Sequence, residues 1–478
     1  MVKWIVIAAL CLLGLLILVL LLRAALFRPR QEEFEPMEKP QLDEAGATER
    51  LAQLIRCKTV SSRDPAMVDE AEFEKFRALL VKMFPRVHET CTREVINGGL
   101  LYRWAGKTDR DPGILMAHYD VVPADENGWN VDPFAGIVKD GSLWGRGTLD
   151  TKCSLFGILE AAEKLIGEGF VPAHDLYFSF GCDEEVEGKA VHAIVETLKA
   201  RQIHPAFVLD EGGTIVTDFL PGLKTPLAVI GVGEKGQVDL ELTLRGKSGH
   251  AAYPPRHTLI GRMSKVIQRV EKKQFKMKMT EPVKQLIDVL GRTLPFPIRI
   301  ILANTGFFMP LIKLACRFVP IGSALMRTTI AFTQAQGSKA SNVLPDRVTA
   351  VANFRLAEGE TVEGVVEHVR KAARCKELET HVLKGNLPTS NSPADGPHWQ
   401  RIKNAVHATW PDTLVAPYLM FMCSDSSQFC EICDKVYRFS PMVCTNEQVA
   451  SIHSNNEHIT TENITQIIEF YEYLIRQS

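Results

Sequence analysis

Residues 114–123 read ILMAHYDVVP, a short apolar run that ends abruptly in His118 and Asp120. Apolar runs of this length, closed by polar residues, fit a strand buried on both faces. Two more follow: Leu176–Phe180 leads into GCDEE, and Pro205–Leu209 leads into DEGG. Alternation of such runs with helix-like stretches predicts an α/β sheet. In sheets of this kind ligand groups gather beyond the carboxyl ends of the strands, and His118, Asp120, Asp183, Glu184, Glu185 and Asp210 all fall there.

Outward from this core, 478 residues exceed the usual single-core limit, so two or more domains are expected. Between Gln237 and Leu356 the pattern changes to an alternating strand (Val238–Leu244) and an amphipathic helix with Met263, Val266, Ile267 and Val270 on one face. A strand-like return follows at Val348–Phe354. Residues 237–356 therefore read as an inserted α+β unit dividing a catalytic domain into residues 48–236 and 357–478. A last helix, capped near Thr460 and Thr461, carries Ile464, Ile467, Ile468, Tyr471, Leu474 and Ile475 at helical spacing and should pack back on the sheet. A net charge of −2 with 23% charged residues gives no strong global field, so no nucleic-acid partner is expected. The eleven cysteines lack the spacing of a disulfide framework, and the lone C-x-x-C at Cys430 and Cys433 reads as structural.

From Trp4 to Leu22 every residue is apolar or Gly, long enough at ~1.5 Å per residue to cross most of a ~30 Å hydrocarbon core. Residues 1–30 read as an uncleaved transmembrane anchor. A signal peptide, whose cleavage would release a secreted protein, usually has a shorter apolar region and a small-residue site where Arg23 stands. Lys3 on one side and Arg23, Arg28 and Arg30 on the other slightly favour a cytosolic body. Residues 31–47 mix Glu, Pro and Lys, as expected of an exposed tether. A second apolar stretch, LPFPIRIILANTGFFMPLIKLACRFVP (294–320), is broken by Pro and Gly and cannot be one spanning helix. It reads either as a buried helix pair or as an apolar wall or membrane-facing lid.

The strand ends carry the chemistry. His118 and Asp120 face alike because strand residues two apart do, so one can bind a metal while the other accepts its second ring N–H. Asp150 follows the Gly-rich turn of GRGTLD, where backbone can approach an ion closely. Glu184 and Glu185 lie in CDEEVEG, Asp210 in VLDEGG and His453 in HSNNE. A lone strand-end His is more often structural, and an acidic triplet more often a solvated helix start. Two His with several carboxylates, all following buried strands, instead suit Zn²⁺.

In combination these motifs resemble the M20 metallopeptidase family from about Arg50 to the end, closest to its peptidase M20 domain-containing 1 group. The resemblance implies a zinc-peptidase-like α/β catalytic domain with an inserted α+β lid or dimerisation domain, and two Zn²⁺ per chain. It implies that Asp150 bridges the ions, that His118 and Asp210 complete one site, and that Glu185 and His453 complete the other. Glu184 matches the general base, and Asp120 the residue that orients the metal-bound histidine. His250, in RGKSGHAAYPP, matches a histidine that donates to the oxyanion from the partner subunit, implying a homodimer through residues 237–356. Asn342 in GSKASNVLPD and Arg355 in VANFRL match positions that contact the substrate carboxylate, which a guanidinium holds bidentately. Thr151 and Cys153 depart from the commoner family residues. The implied activity is hydrolysis of N-acyl amino acids with long-chain fatty acyl groups to fatty acid and free amino acid, with the reverse condensation. An aminoacylase or dipeptidase on short substrates is the rival enzyme, and a membrane-tethered binder of acyl amino acids the rival outside enzymes. Members of the group belong to the secretory pathway, so a lumenal or extracellular catalytic domain is expected against the charge rule. The Asn463-Ile464-Thr465 sequon is compatible with that side.

Overall fold

The three apolar runs become adjacent strands in the computed structural model, which describes residues 1–30, 34, 37–217 and 222–478. Strand Thr108–His118 lies between His174–Gly181 and Phe207–Val216, parallel to both. The eight-stranded sheet runs Thr92–Ile96, Gly99–Trp104, His174–Gly181, Thr108–His118, Phe207–Val216, Val436–Cys444, Leu227–Glu234, Leu414–Met420. Side chains alternate between two cores. Ile114 and Met116 pack with Val191, Ile194 and Val195 of helix Ala190–Ala200. Leu115 and Ala117 join the larger core with helices Lys152–Gly167 and Thr461–Arg476. Burial on both faces explains why the run is apolar throughout rather than alternating.

The C-terminal helix forms as its spacing predicts, with the Thr460 side chain accepting from the Asn463 amide and all six apolar positions buried. Gly157 lets it lie close, since a Cβ there would stand 2.3 Å from Ile467 Cγ2. Asn463 itself is buried, its carboxamide accepting from Val443 N–H at 2.9 Å and donating to Val443 C=O at 2.8 Å. The sequon is therefore sequestered and says nothing about membrane sidedness.

The inserted unit is a four-stranded antiparallel sheet in the order Thr329–Gln336, Arg347–Leu356, Gly236–Arg245, Glu379–Asn386. Helices Leu259–Lys272 and Val362–Ala373 supply Met263, Val266, Val270, Val365 and Val369 to its core. The unit thus extends past the expected boundary at 356 to Asn386, because strand Glu379–Asn386 pairs with Gly236–Arg245. That edge strand is half-exposed, so it has no strong apolar alternation to mark it in sequence.

Two expectations for the N-terminal region change. Folded structure starts at helix Glu44–Ile55, capped by Asp43, four residues ahead of Thr48. Residues 31–33, 35 and 36 of the expected tether lie outside the described residues. The described part lies against the body: Phe34 stacks on His407, Lys39 pairs with Glu469, and the Glu38 carbonyl accepts from Tyr473. Helix Val2–Leu26 is, among the described residues, the one straight helix long and apolar enough to cross a membrane, a test that a signal sequence also passes. The 294–320 stretch forms helices Phe296–Leu302, Thr305–Cys316 and the start of Pro320–Met326, the first two bent by 106°. It is not a buried pair, for Phe307 and Phe318 are 56% and 80% exposed.

Candidate metal centre

Each cluster residue stands where backbone geometry fixes it. His118 ends strand Thr108–His118, with Nε2 3.0 Å from Asp150 Oδ1. The other Asp150 oxygen lies 2.9 Å from His453 Nε2, which is also 3.0 Å from Glu185 Oε2. Asp150 thus turns one carboxylate oxygen to each imidazole, the disposition of a bridging ligand. Asp120 is fully buried, its Oδ1 3.3 Å from His118 Nδ1. Its two oxygens also accept from the Glu184 and Glu185 amides at 3.2 and 3.1 Å, so one carboxylate positions the imidazole and the acidic turn together.

Glu211, rather than Asp210, is brought to the His118 side. Its Oε1 lies 3.2 Å from His118 Nε2, and ligand atoms of His118, Glu184 and Glu211 lie within 4.8 Å of one another. Atoms of His118, Asp150 and Glu185 meet the same limit. Asp210 instead accepts from the Ser426 amide at 3.1 Å. Neighbouring strand residues point to opposite faces, so only one of this acidic pair can reach His118. The sequence reading took the other one; strand register, which the sequence does not fix, is the missing signal.

Glu457, quoted in HSNNE without a role, ties the two ends of the centre together. It is solvent-free and accepts from Arg146 Nη1 at 2.6 Å and from the Gly147 and Leu149 amides at 3.1 and 2.7 Å. Arg146 Nη2 donates in turn to Ser454 C=O at 2.8 Å, beside His453. Gly147 adopts φ 88°, and a Cβ there would stand 2.8 Å from Val121 Cγ1, so this turn of GRGTLD requires glycine. Cys153 packs in the core and donates to Leu149 C=O.

The electrostatics call for a cation. Burial opposes protonation of His118, yet Glu211, Asp120 and Asp150 outweigh it and raise its pKa well above the usual imidazole range. Hydrogen bonds to Asp150 and Glu185 push His453 up to about 10. Burial, reinforced by Glu211, Asp425 and Asp150, raises Glu184 well above the carboxylate range. Burial likewise pushes Glu211 up to about 8, Asp150 and Asp210 adding to it. So many buried carboxylates around two imidazoles are stable as anions only with more positive charge than those rings supply. Glu185 Oε1 and Asp425 Oδ2 are moreover buried without a hydrogen-bond partner in the described structure. The donor set of nitrogen and oxygen fits divalent metal.

The residues expected at the substrate end lie apart. His250 and Asn342 are exposed at a short two-stranded antiparallel ladder between segments distant in sequence, where Gly249 and His250 pair with Leu344 and Val343 and Asn342 C=O accepts from Ala251. Among the described residues neither hydrogen-bonds to the cluster. Arg355 sits on strand Arg347–Leu356 and donates to Cys423 Sγ at 3.7 Å.

An imidazole at the end of a parallel strand and a second one in the loop after helix Asn446–Ser451, sharing one carboxylate, define a metal-dependent hydrolase centre. Residues 114–477 match the family described as peptidase family M20/M25/M40. The chain belongs to this family and is a metal-dependent amidohydrolase. It is 35% identical to N-fatty-acyl-amino acid synthase/hydrolase PM20D1 of Xenopus tropicalis, over 93% of this chain and 87% of that protein. It is 31% identical to probable carboxypeptidase S-like 2 of Dictyostelium discoideum, over 98% and 92%. Among solved structures, the M20 family metallo-carboxypeptidase Sso-CP2 from Sulfolobus solfataricus superposes with a TM-score of 0.67 at 16% identity, covering 91% of this chain and 99% of that one. The Bacillus subtilis YXEP protein, a dinuclear metal binding peptidase, gives 0.55 at 14% identity, covering 91% and 98%. At these identities the structures speak for the fold alone.

Proposed function

We propose that the chain is a di-zinc amidohydrolase of N-acyl amino acids carrying long-chain fatty acyl groups, yielding fatty acid and free amino acid, and able to run the condensation in reverse. The observation that carries this reading is the Asp150 carboxylate turned to both His118 and His453, taken with 35% identity to an N-fatty-acyl-amino acid synthase/hydrolase. His118, Glu211 and Asp150 would hold one ion, and His453, Glu185 and Asp150 the other. Bound zinc supplies an acidified water and a polarised amide carbonyl. Glu184, whose carboxylate stands beside His118, takes the proton of the attacking water and returns it to the leaving nitrogen. Asp120 keeps the His118 ring oriented, and Glu457 keeps Asp150 and His453 in register. His250 would reach the oxyanion of a neighbouring subunit in a homodimer formed through the inserted unit. Asn342 and Arg355 would hold the substrate carboxylate.

We read Val2–Leu26 as a retained single-pass anchor with a lumenal or extracellular catalytic domain. Its last turns pack on the body: Ala24 is buried, and Asn304 Nδ2 donates to Leu20 C=O at 3.1 Å.

Turnover of oleoyl-phenylalanine, acetyl-methionine and a dipeptide by the purified full chain tests the reading. Fastest hydrolysis of the oleoyl substrate is expected. Preference for the short compounds would favour an aminoacylase or dipeptidase. No turnover together with tight acyl amino acid binding would favour a tethered binder.

A further inference from the structure

Helix Thr305–Cys316 and the residues just after it carry their apolar stripe on the outside. Phe307, Leu311, Leu314 and Phe318 follow the four-three-four spacing of one helical face and are 56%, 48%, 49% and 80% exposed, while Ile312 on the opposite side is buried. A surface helix in water normally shows the reverse arrangement. Phe296, Ile298, Val319 and Ile321 extend the exposed apolar area across the flanking helices. Residues 294–327 also hold four cations, Arg299, Lys313, Arg317 and Arg327, and no Asp or Glu. Apolar bulk with an exclusively basic complement fits a phospholipid surface, which offers acyl chains to the stripe and phosphates to the cations.

The position of this face relative to the N-terminal helix fixes its depth. Helix Phe296–Leu302 packs against Val2–Leu26, and Arg292 Nη1 donates to Arg28 C=O at 3.0 Å with its guanidinium 4.4 Å from the Phe27 ring centroid. Contacts begin at Leu20, whereas the residues before it are exposed along the whole helix. The free portion, ~27 Å at 1.5 Å per residue, is close to the thickness of the hydrocarbon core. The body therefore meets the helix where the helix leaves the hydrocarbon.

We propose that helices Phe296–Leu302, Thr305–Cys316 and Pro320–Met326 form an in-plane platform whose Phe307–Leu311–Leu314–Phe318 face lies in the acyl–headgroup boundary of the bilayer. The proposal rests on the reading of Val2–Leu26 as a retained anchor in that bilayer. Lys313 and Arg317 then lie at headgroup level, within reach of lipid phosphates, while Arg299 and Arg327 are held by Leu294 C=O and the Ser323 hydroxyl, and the 106° bend turns the chain along the membrane surface instead of across it.

The test uses the full chain reconstituted in vesicles of phosphatidylcholine with phosphatidylserine. Benzoylphenylalanine replaces Phe307 or Phe318 in separate proteins, with Leu13 as the anchor position and Tyr253, 86% exposed on the inserted unit, as the aqueous control. After irradiation, mass spectrometry should find one added phospholipid at positions 307, 318 and 13, and none at 253. Lipid adducts at 13 but not at 307 or 318 would overturn the platform and leave the anchor standing. Their absence at all three positions would overturn both. A cross-link from 307 or 318 to a second copy of the chain would also overturn the platform, assigning the face to contact between chains.

Discussion

Glu184 and Glu211 are the residues on which the centre's chemistry divides. Glu184 sits beside His118 in a half-buried turn pinned by Asp120, so replacing it with Gln preserves shape but removes a proton acceptor. Glu184→Gln should keep both metal ions and lose roughly 10²–10⁴-fold in kcat, checked by metal analysis and turnover on one preparation. Glu211→Ala should bind about one ion fewer per chain, whereas Asp210→Asn should keep both, because only Glu211 faces His118. The opposite result would return the ligand role to Asp210. Much of this was legible in sequence. His118, Asp120, Asp150, Glu184, Glu185 and His453 were chosen from motifs, and the fold gathers them. Glu211 was missed because two adjacent acids at a strand end are indistinguishable until register is known. Glu457 was passed over because its work is done on the Gly147 and Leu149 amides, about three hundred residues away along the chain.

At the scale of elements, strands Leu227–Glu234 and Val436–Cys444 are joined beneath the centre by a solvent-free ion pair between Glu234 and Arg438. Glu234 also accepts from the Ser424 amide and hydroxyl, and Ser426, whose hydroxyl lies 2.6 Å from that of Ser424, donates its amide to Asp210. Residues 424–429, SDSSQF, are thereby fixed against the sheet. Glu234→Gln strips the fully buried Arg438 of its counter-charge, and removing one partner of such a pair costs about 3–5 kcal/mol. Urea unfolding of the full chain in detergent should show that loss, and adding Arg438→Met should recover most of it, since the orphaned charge is then gone too. Sequence patterning could not anticipate this pair, because YRFSP gives no sign that its arginine is buried. Nor could it settle residues 294–320, since an apolar helix has the same period whether its stripe faces a core or a lipid surface. Their Pro and Gly breaks were readable, and they did exclude a single spanning helix.

For the whole molecule, the decisive point is the junction of sheet and inserted unit. Alternation of strands and helices announced two units, and the start of the insertion was visible where the pattern changed near Gln237. Its end was not, for strand Glu379–Asn386 returns to the inserted sheet without a clear apolar period. At the first crossing, between strands Leu227–Glu234 and Gly236–Arg245, the single linking residue is Lys235, buried with its Nζ donating to the Ala324 and Arg327 carbonyls at 3.0 and 2.7 Å. It thus fastens the end of helix Pro320–Met326 to the hinge. Burial first, then the charges of Arg355 and Arg327, lower its pKa to about 7, against about 10.4 for a lysine in an unfolded chain. Between those values the unfolded chain holds a proton that the folded chain releases, so this group makes stability rise with pH over that window. Below about pH 7 both states are protonated and the cost of burying the charge is fully present. Lys235→Met removes the titration along with the two hydrogen bonds. The difference in unfolding free energy, wild type minus variant, should therefore increase steadily from neutral pH towards pH ~10. A difference that stays flat, or shrinks, would mean that Lys235 is charged and solvated at the hinge, and that the inserted unit is held there by other contacts.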